Sequence, residues 1–266
     1  MRMSLFTRPA VWALLSIIIS ILAFAGDPPP KHLELGRLLV SQLTPQNTSY
    51  QHHGWVRWEG DPSTPHSEAH TDCSGLISSL LERASCSITL LEHVTNKQKR
   101  HHPKAEDYFA SITHEDGFKR IRKITLVLPG DIIAVKYNVG DSERTPSDSG
   151  HVMLVDSMPV RQMNATAPII PGTQQWEVAV IDSTKSPHGK NDTRYRKSGR
   201  KGNGVGRGVF RLYTREDGTI RGYSWSLLRS SVYYGSSSRP LAIGRVRCNS
   251  SEREVNSAPS ARWAGR

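Results

Sequence analysis

Beyond residue 130 the chain breaks into short runs of β-branched and aromatic residues, and these runs restrict its fold more than any other feature. They are DIIAVKY (131–137), HVMLVDS (151–157), WEVAVID (176–182), GVFRLY (208–213), TIRGYSW (219–225) and LAIGRVR (241–247). Each is bounded by Gly, Pro, Asp or Ser, as strands are. TREDG (214–218) reads as a hairpin turn between two of them. The earlier chain has a different period. Leu33, Leu35, Leu38, Leu39 and Leu43 suggest a helix ended by Thr44-Pro45. Leu76, Ile77, Leu80 and Leu81 fall on one helical face, so a helix starts close to Cys73 and runs to about Arg83. A further helix is expected around 104–112, whereas 46–71 is polar and without period, an irregular approach to Cys73. Helices followed by antiparallel strands make an α+β domain.

The ends differ from this body. Arg2 and Arg8 precede the apolar stretch AVWALLSIIISILAF (10–24), and Ala23-Phe24-Ala25 supplies an Ala-x-Ala site. A basic start, a short apolar segment and small residues describe an export signal cut after Ala25, so residues 1–25 are expected to be removed. The stretch is short of the roughly 20 residues a membrane span needs. Residues 26–31 read as a tether, 32–248 as one catalytic domain, and 249–266, mostly Ser, Arg, Ala and Asn, as a disordered tail. The expected location is secreted or periplasmic.

Net charge of +11 and a pI near 9.8 favour anionic surroundings such as cell-wall polymer. Residues 185–211 concentrate this charge, nine Lys or Arg against one Asp, around GNGVGRG. The Gly-Lys-Ser/Thr ending of a phosphate loop is missing. The stretch is either a solvated loop or a contact with anionic wall polymer; no nucleic-acid partner is expected. Trp55, Trp58 and Trp225 are candidates for a substrate cleft or for packing.

Cysteine is scarce, three in 266 residues. In an oxidising compartment an odd number leaves at least one thiol free or paired between chains. Cys86 with Cys248, leaving Cys73, is one arrangement, and no bridge at all is another. Cys73 stands in HTDCSGLISSLL (70–81), at the expected helix start, where the dipole and unpaired amides lower a thiol pKa. Gly75 in the first turn allows close approach of another chain. A nucleophilic cysteine needs a base and a group to orient it. His151 opens one strand and Asp182 closes the next. A hairpin register pairing Ser157 with Trp176 pairs His151 with Asp182, with Cβ atoms about 5 Å apart. His188 is an alternative partner, read here as a loop residue. His66, His70, His52-His53 and His101-His102 lack an accompanying metal motif, so no metal or cofactor is expected.

Asp-Cys-Ser-Gly at a helix start, LPGDIIAV (128–135) at the head of a strand, and Gly-His-Val at the head of the next together resemble the NlpC-type peptidases. These are exported, papain-like bacterial cysteine hydrolases that cut cell-wall peptides. The three motifs follow the family's order over roughly residues 32–247. The resemblance implies N-terminal helices packed on a small antiparallel sheet. It implies Cys73 as nucleophile, His151 as base and Asp182 as third residue, with Tyr50, Asp72 and Ser74 as substrate-binding candidates. The expected function is hydrolysis of amide bonds in peptidoglycan stem peptides. The alternative is a non-catalytic wall-binding protein on the same fold, using the basic loop.

Overall fold

In the computed structural model, the described residues are 28–61, 65–86, 88, 102–146, 148–195 and 201–248. The expected export signal (1–25), residues 89–101 and the expected tail from residue 249 lie outside them. Among the described residues there are three α-helices: α1 Lys31–Gln42, α2 Cys73–Arg83 and α3 Ala105–His114. The expected tether therefore ends at Pro30, since Lys31 is already helical. No helix among the described residues is long and apolar enough to cross a membrane.

The approach to Cys73 is more ordered than its polar sequence suggests. Short strands β1 (Thr48–Ser49), β2 (Trp55–Arg57) and β3 (Glu68–His70) form a sheet in the order β1-β3-β2. Two or three residues are too few to display an alternating pattern. The small sheet is pinned to the body by side chains, with Asn203 Oδ1 accepting from the Tyr50 amide at 2.9 Å and Thr48 Oγ1 accepting from the Val205 amide at 2.9 Å.

All six expected strands form, within a larger sheet than the resemblance implies. The strands are β4 (Phe118–Ile121), β5 (Ile132–Lys136), β6 (Gly150–Val155), β7 (Val160–Arg161), β8 (Gln174–Thr184), β9 (Gly204–Thr214), β10 (Ile220–Ser224), β11 (Tyr233–Gly235) and β12 (Leu241–Val246). They make one nine-stranded sheet in the order β11-β10-β9-β8-β6-β5-β12-β4, with β7 added to β8. Every pairing in it is antiparallel. The molecule is thus mixed α+β, three helices against a large antiparallel sheet, and the sheet is not small.

The two-residue period of a strand sorts its side chains into two cores. Val152 and Leu154 of β6 join Leu33 and Leu39 of α1 and Leu76 and Leu80 of α2. Met153 and Val155 point the other way, into a cluster with Val178, Val180, Phe210 and Tyr223. Cys86, just beyond α2, is joined by a disulfide to Cys248, just beyond β12, 162 residues away. Cys73 is left as the free, buried thiol.

Candidate active site

Cys73 is the first residue of α2, and Asp72 is its cap. The Asp72 Oδ1 atom accepts the Gly75 amide at 2.8 Å, which satisfies one of the first-turn donors. The Gly75 α-carbon faces Thr71 and His102, so a Cβ there would lie 2.4 Å from Thr71 Oγ1. The segment before the helix is also held by the sheet, since Ser183 donates its hydroxyl to the Thr71 carbonyl at 2.5 Å.

The thiol environment differs from the expectation. Burial pushes the Cys73 thiol well up, the Asp72 carboxylate adds to the rise, and a hydrogen bond from the Val152 amide opposes both. A helix N-terminus favours a thiolate, but here desolvation disfavours the charge more strongly. Cys73 therefore rests as a thiol. The helix that Cys73 opens packs on β6, the strand that carries His151, with Leu76 and Leu80 against Val152 and Leu154.

His151 is the second residue of β6, and Gly150 lets the strand start there. Gly150 has φ 151°, and a Cβ would lie 2.0 Å from the Val135 carbonyl oxygen. Only glycine fits between these two strands. The observed register of β6 on β8 pairs Leu154 with Ile181 and Val155 with Val180. It is shifted by two residues from the register that pairs Ser157 with Trp176. A two-residue slip leaves every side chain on its own face, so His151 and Asp182 still meet, as diagonal neighbours where the ladder has opened. His151 Nε2 lies 2.6 Å from Asp182 Oδ2, which leaves Nδ1 for proton transfer.

Asp182 serves more than one partner. His188 Nε2 approaches the same Oδ2 at 2.9 Å, and His188 Nδ1 lies 2.7 Å from the Trp225 carbonyl oxygen. Both nitrogens of His188 thus face acceptors, which suits a ring donating at each. The ring stacks on Trp225 with centroids 4.0 Å apart. Arg194 Nη1 donates to Asp182 Oδ1 at 2.8 Å, and its Nη2 donates to Asp192 Oδ2 at 2.7 Å. Burial alone would raise the Asp182 carboxyl. The Arg194 guanidinium and His188 outweigh it and, with the His151 and His188 hydrogen bonds, hold the carboxyl well below its usual range. Burial likewise opposes charge on Arg194, but Asp182 and Asp192 keep its pKa raised.

His188 is accordingly a buried member of the site and not a loop residue exposed to solvent. The glycines of GNGVGRG explain how its loop sits. A Cβ on Gly206 would lie 2.7 Å from Arg194 Nε, and one on Gly208 would lie 2.4 Å from Asp192 Oδ2. The basic stretch also loses much of its free charge: Arg194 and Arg211 are buried, and Arg207 pairs with Asp156. Lys185, Lys190 and Lys201 remain exposed.

The site opens into two adjoining cavities of about 340 Å³ and about 670 Å³. Tyr50, His52, Asp148 and Gly150 line both, which makes them arms of one cleft. The smaller arm holds Cys73 with Asp72, Ser74, His102 and Lys104. The larger holds His151 with Tyr137, Tyr223, Trp225 and Tyr234. All three substrate-binding candidates, Tyr50, Asp72 and Ser74, therefore border the Cys73 arm. Burial raises the Tyr50 hydroxyl pKa. Asp72 also meets His52 Nδ1 at 3.1 Å.

Other candidates lie elsewhere. Trp58 is in the helix-side core, and Trp55 is exposed beneath the Arg57 guanidinium. His70 binds Ser49 Oγ through Nδ1 at 2.7 Å. Among the described residues, the one group with metal-ligand spacing is His151, Asp182 and His188, with ligand atoms within 4.8 Å of one another. The Arg194 guanidinium on the same carboxylate opposes a second cation there.

No family model matches this chain, and no solved structure matches it. Over 224 residues it is 37% identical to "Uncharacterized protein R653" of Acanthamoeba polyphaga mimivirus, an alignment that covers 82% of this chain and 96% of that protein. On that extent of identity the chain belongs to the same family as this mimivirus protein.

Proposed function

We propose that this protein is an exported thiol hydrolase of papain-like, NlpC-type arrangement that cleaves amide bonds. The observation that carries the reading is the 2.6 Å His151–Asp182 hydrogen bond on β6, the strand against which the Cys73 helix packs. A helix-borne thiol and a sheet-borne, carboxylate-held imidazole are the two parts a nucleophilic cysteine requires. His151 Nδ1 takes the thiol proton as sulfur attacks the carbonyl carbon. Amides at the start of α2 receive the oxyanion. The imidazolium then gives its proton to the leaving amine, and water hydrolyses the thioester. Because burial holds Cys73 as a thiol, deprotonation accompanies attack and does not precede it.

The disulfide supports an oxidising destination, as the N-terminal signal pattern does. The NlpC-type resemblance makes cell-wall stem peptides the substrate class to test first. Mature protein is incubated with purified peptidoglycan fragments and with a mixed peptide library, and the products are read by mass spectrometry. New termini that disappear in Cys73→Ala and His151→Ala support the reading. Tight wall binding with no cleavage of either material refutes it in favour of a wall-binding protein.

A further inference from the structure

We propose that the larger arm of the cleft is the leaving-group subsite, and that the amine released from the substrate carries an aromatic side chain. This rests on the thiol-hydrolase reading above and assigns its substrate. The chemistry orients the substrate. The acyl carbon becomes bonded to the Cys73 sulfur, the C–N bond breaks, and the proton first removed from the thiol passes from His151 to the departing nitrogen. Water later adds to the thioester carbon, leaving a carboxylic acid and restoring the thiol. The acyl portion therefore lies on the Cys73 side and the amine on the His151 side. His151 belongs to the larger arm.

That arm is walled by rings whose orientations are fixed by packing. Trp225 stands edge-on to His151 at 4.8 Å while stacked on His188. Tyr223 stacks on Phe210 at 4.9 Å and meets Tyr234 at 5.4 Å. The Arg239 guanidinium sits 4.4 Å from the Tyr137 ring and 4.2 Å from the Tyr234 ring. Its charge is already taken, by Asp141 at 2.6 and 2.8 Å and by Glu143 at 3.1 Å. Arg239 thus braces two tyrosines and offers a substrate no free cation. Elsewhere in the arm, Lys185 is set against Asp148, so neither sign of charge predominates. Besides hydroxyls such as Ser142, Thr145 and Ser186, the arm offers an occupant the faces and edges of these rings, and rings pack on rings in offset or edge-to-face geometry. The Cys73 arm, by contrast, has Tyr50 as its one tyrosine or tryptophan ring, and that ring is shared with the larger arm.

The test separates binding from turnover. Full-length mature protein carrying Cys73→Ala is titrated with L-phenylalaninamide, L-alaninamide and L-lysinamide, followed by NMR. Phenylalaninamide is expected to bind at least about tenfold more tightly than alaninamide, the return for burying a ring. Tyr234→Ala in the same background should reduce that ratio. If this variant does not fold, the ligand comparison in Cys73→Ala alone still decides. Equal affinities, or a preference for lysinamide, overturn the proposal. In the second measurement, active protein receives peptides that share one acyl side and carry Phe, Ala or Lys after the scissile bond. A higher kcat/KM for Phe supports the assignment. Cleavage that favours Ala or Lys overturns the aromatic assignment while upholding the hydrolase. No cleavage of any peptide, with the phenylalaninamide preference intact, overturns the hydrolase reading and with it the leaving-group role.

Discussion

Replacing Asp182 by Asn tests whether this carboxylate is a simple orienter of His151 or the centre of a buried charge network. Geometry alone makes Asn look mild, since its amide oxygen could still accept from His151. Three donors reach Asp182, however: two imidazoles on Oδ2 and Arg194 on Oδ1. An amide has one oxygen. If it serves the imidazoles, its NH2 group faces the Arg194 guanidinium, donor against donor. Breaking a fully buried ion pair from one side costs about 3–5 kcal/mol. Asp192 remains on Arg194 and moderates this, so we expect a loss of about 3 kcal/mol in urea unfolding, with Asp182→Ala no better than about 1 kcal/mol different. The decisive assay is a double-mutant cycle with Arg194→Gln. Removing the stranded cation should recover about 2 kcal/mol of the Asp182→Asn loss. Additive effects within about 0.5 kcal/mol would refute the network. Acid sensitivity supplies an independent reading. The Asp182 carboxyl is held well below its usual range in the folded protein, so the unfolded chain takes up its proton first. The stabilisation is complete above the unfolded value of about 3.9 and is lost as pH falls below it toward the lowered folded value. Asp182→Asn should remove this contribution to the acid-side slope.

Three further outcomes follow from the same structure. Because burial raises the Cys73 thiol, its alkylation by iodoacetamide should be slow at pH 6–7 and still climb above pH 9, with Cys86 and Cys248 silent until reduced; a rate that levels off below pH 7 contradicts the burial. Reducing the disulfide removes a closure across 162 residues and should lower stability by about 5 kcal/mol on the chain-entropy estimate, so an unchanged denaturation midpoint argues against its formation in solution. Deleting residues 190–207 takes away Asp192, Arg194 and the glycine seat on β9, and should abolish turnover of even a small peptide. Survival of that turnover would return the stretch to the status of a detachable wall-binding loop.

The secondary elements near the site were legible because each carries a local signal. Asp72 is a capping side chain, and Leu76, Ile77, Leu80 and Leu81 repeat with the helical period, so α2 begins and ends where expected. The six main strands show β-branched runs with clear punctuation. The three strands between residues 48 and 70 show no comparable pattern, since they are short and held largely by Asn203, Thr48 and backbone pairing. His151 and Asp182 could be placed on one face without the correct register, because face survives a slip of two. His188 could be named only as an alternative to Asp182, and Arg194 not at all. Histidine and arginine among Lys, Asn and Gly look like a solvated loop, and only the glycines of β9 hinted that something packs there. The raised thiol pKa was equally hidden, because desolvation arises from chain segments far from Cys73 in sequence.

The position of β12 governs when the site can exist. The last strand of the sheet inserts between β5 and β4, and Cys248 follows it. A chain emerging from a ribosome presents Cys73 early, yet β5 lacks its second neighbour until the final segment arrives. The imidazole strand β6 is paired directly to β5, and its other side waits for β8, whose carboxylate needs the loop seated on β9. The His151, Asp182 and His188 cluster is therefore a product of completed folding, assembled by no shorter fragment. On the thiol-hydrolase reading, latency during synthesis would follow from topology alone.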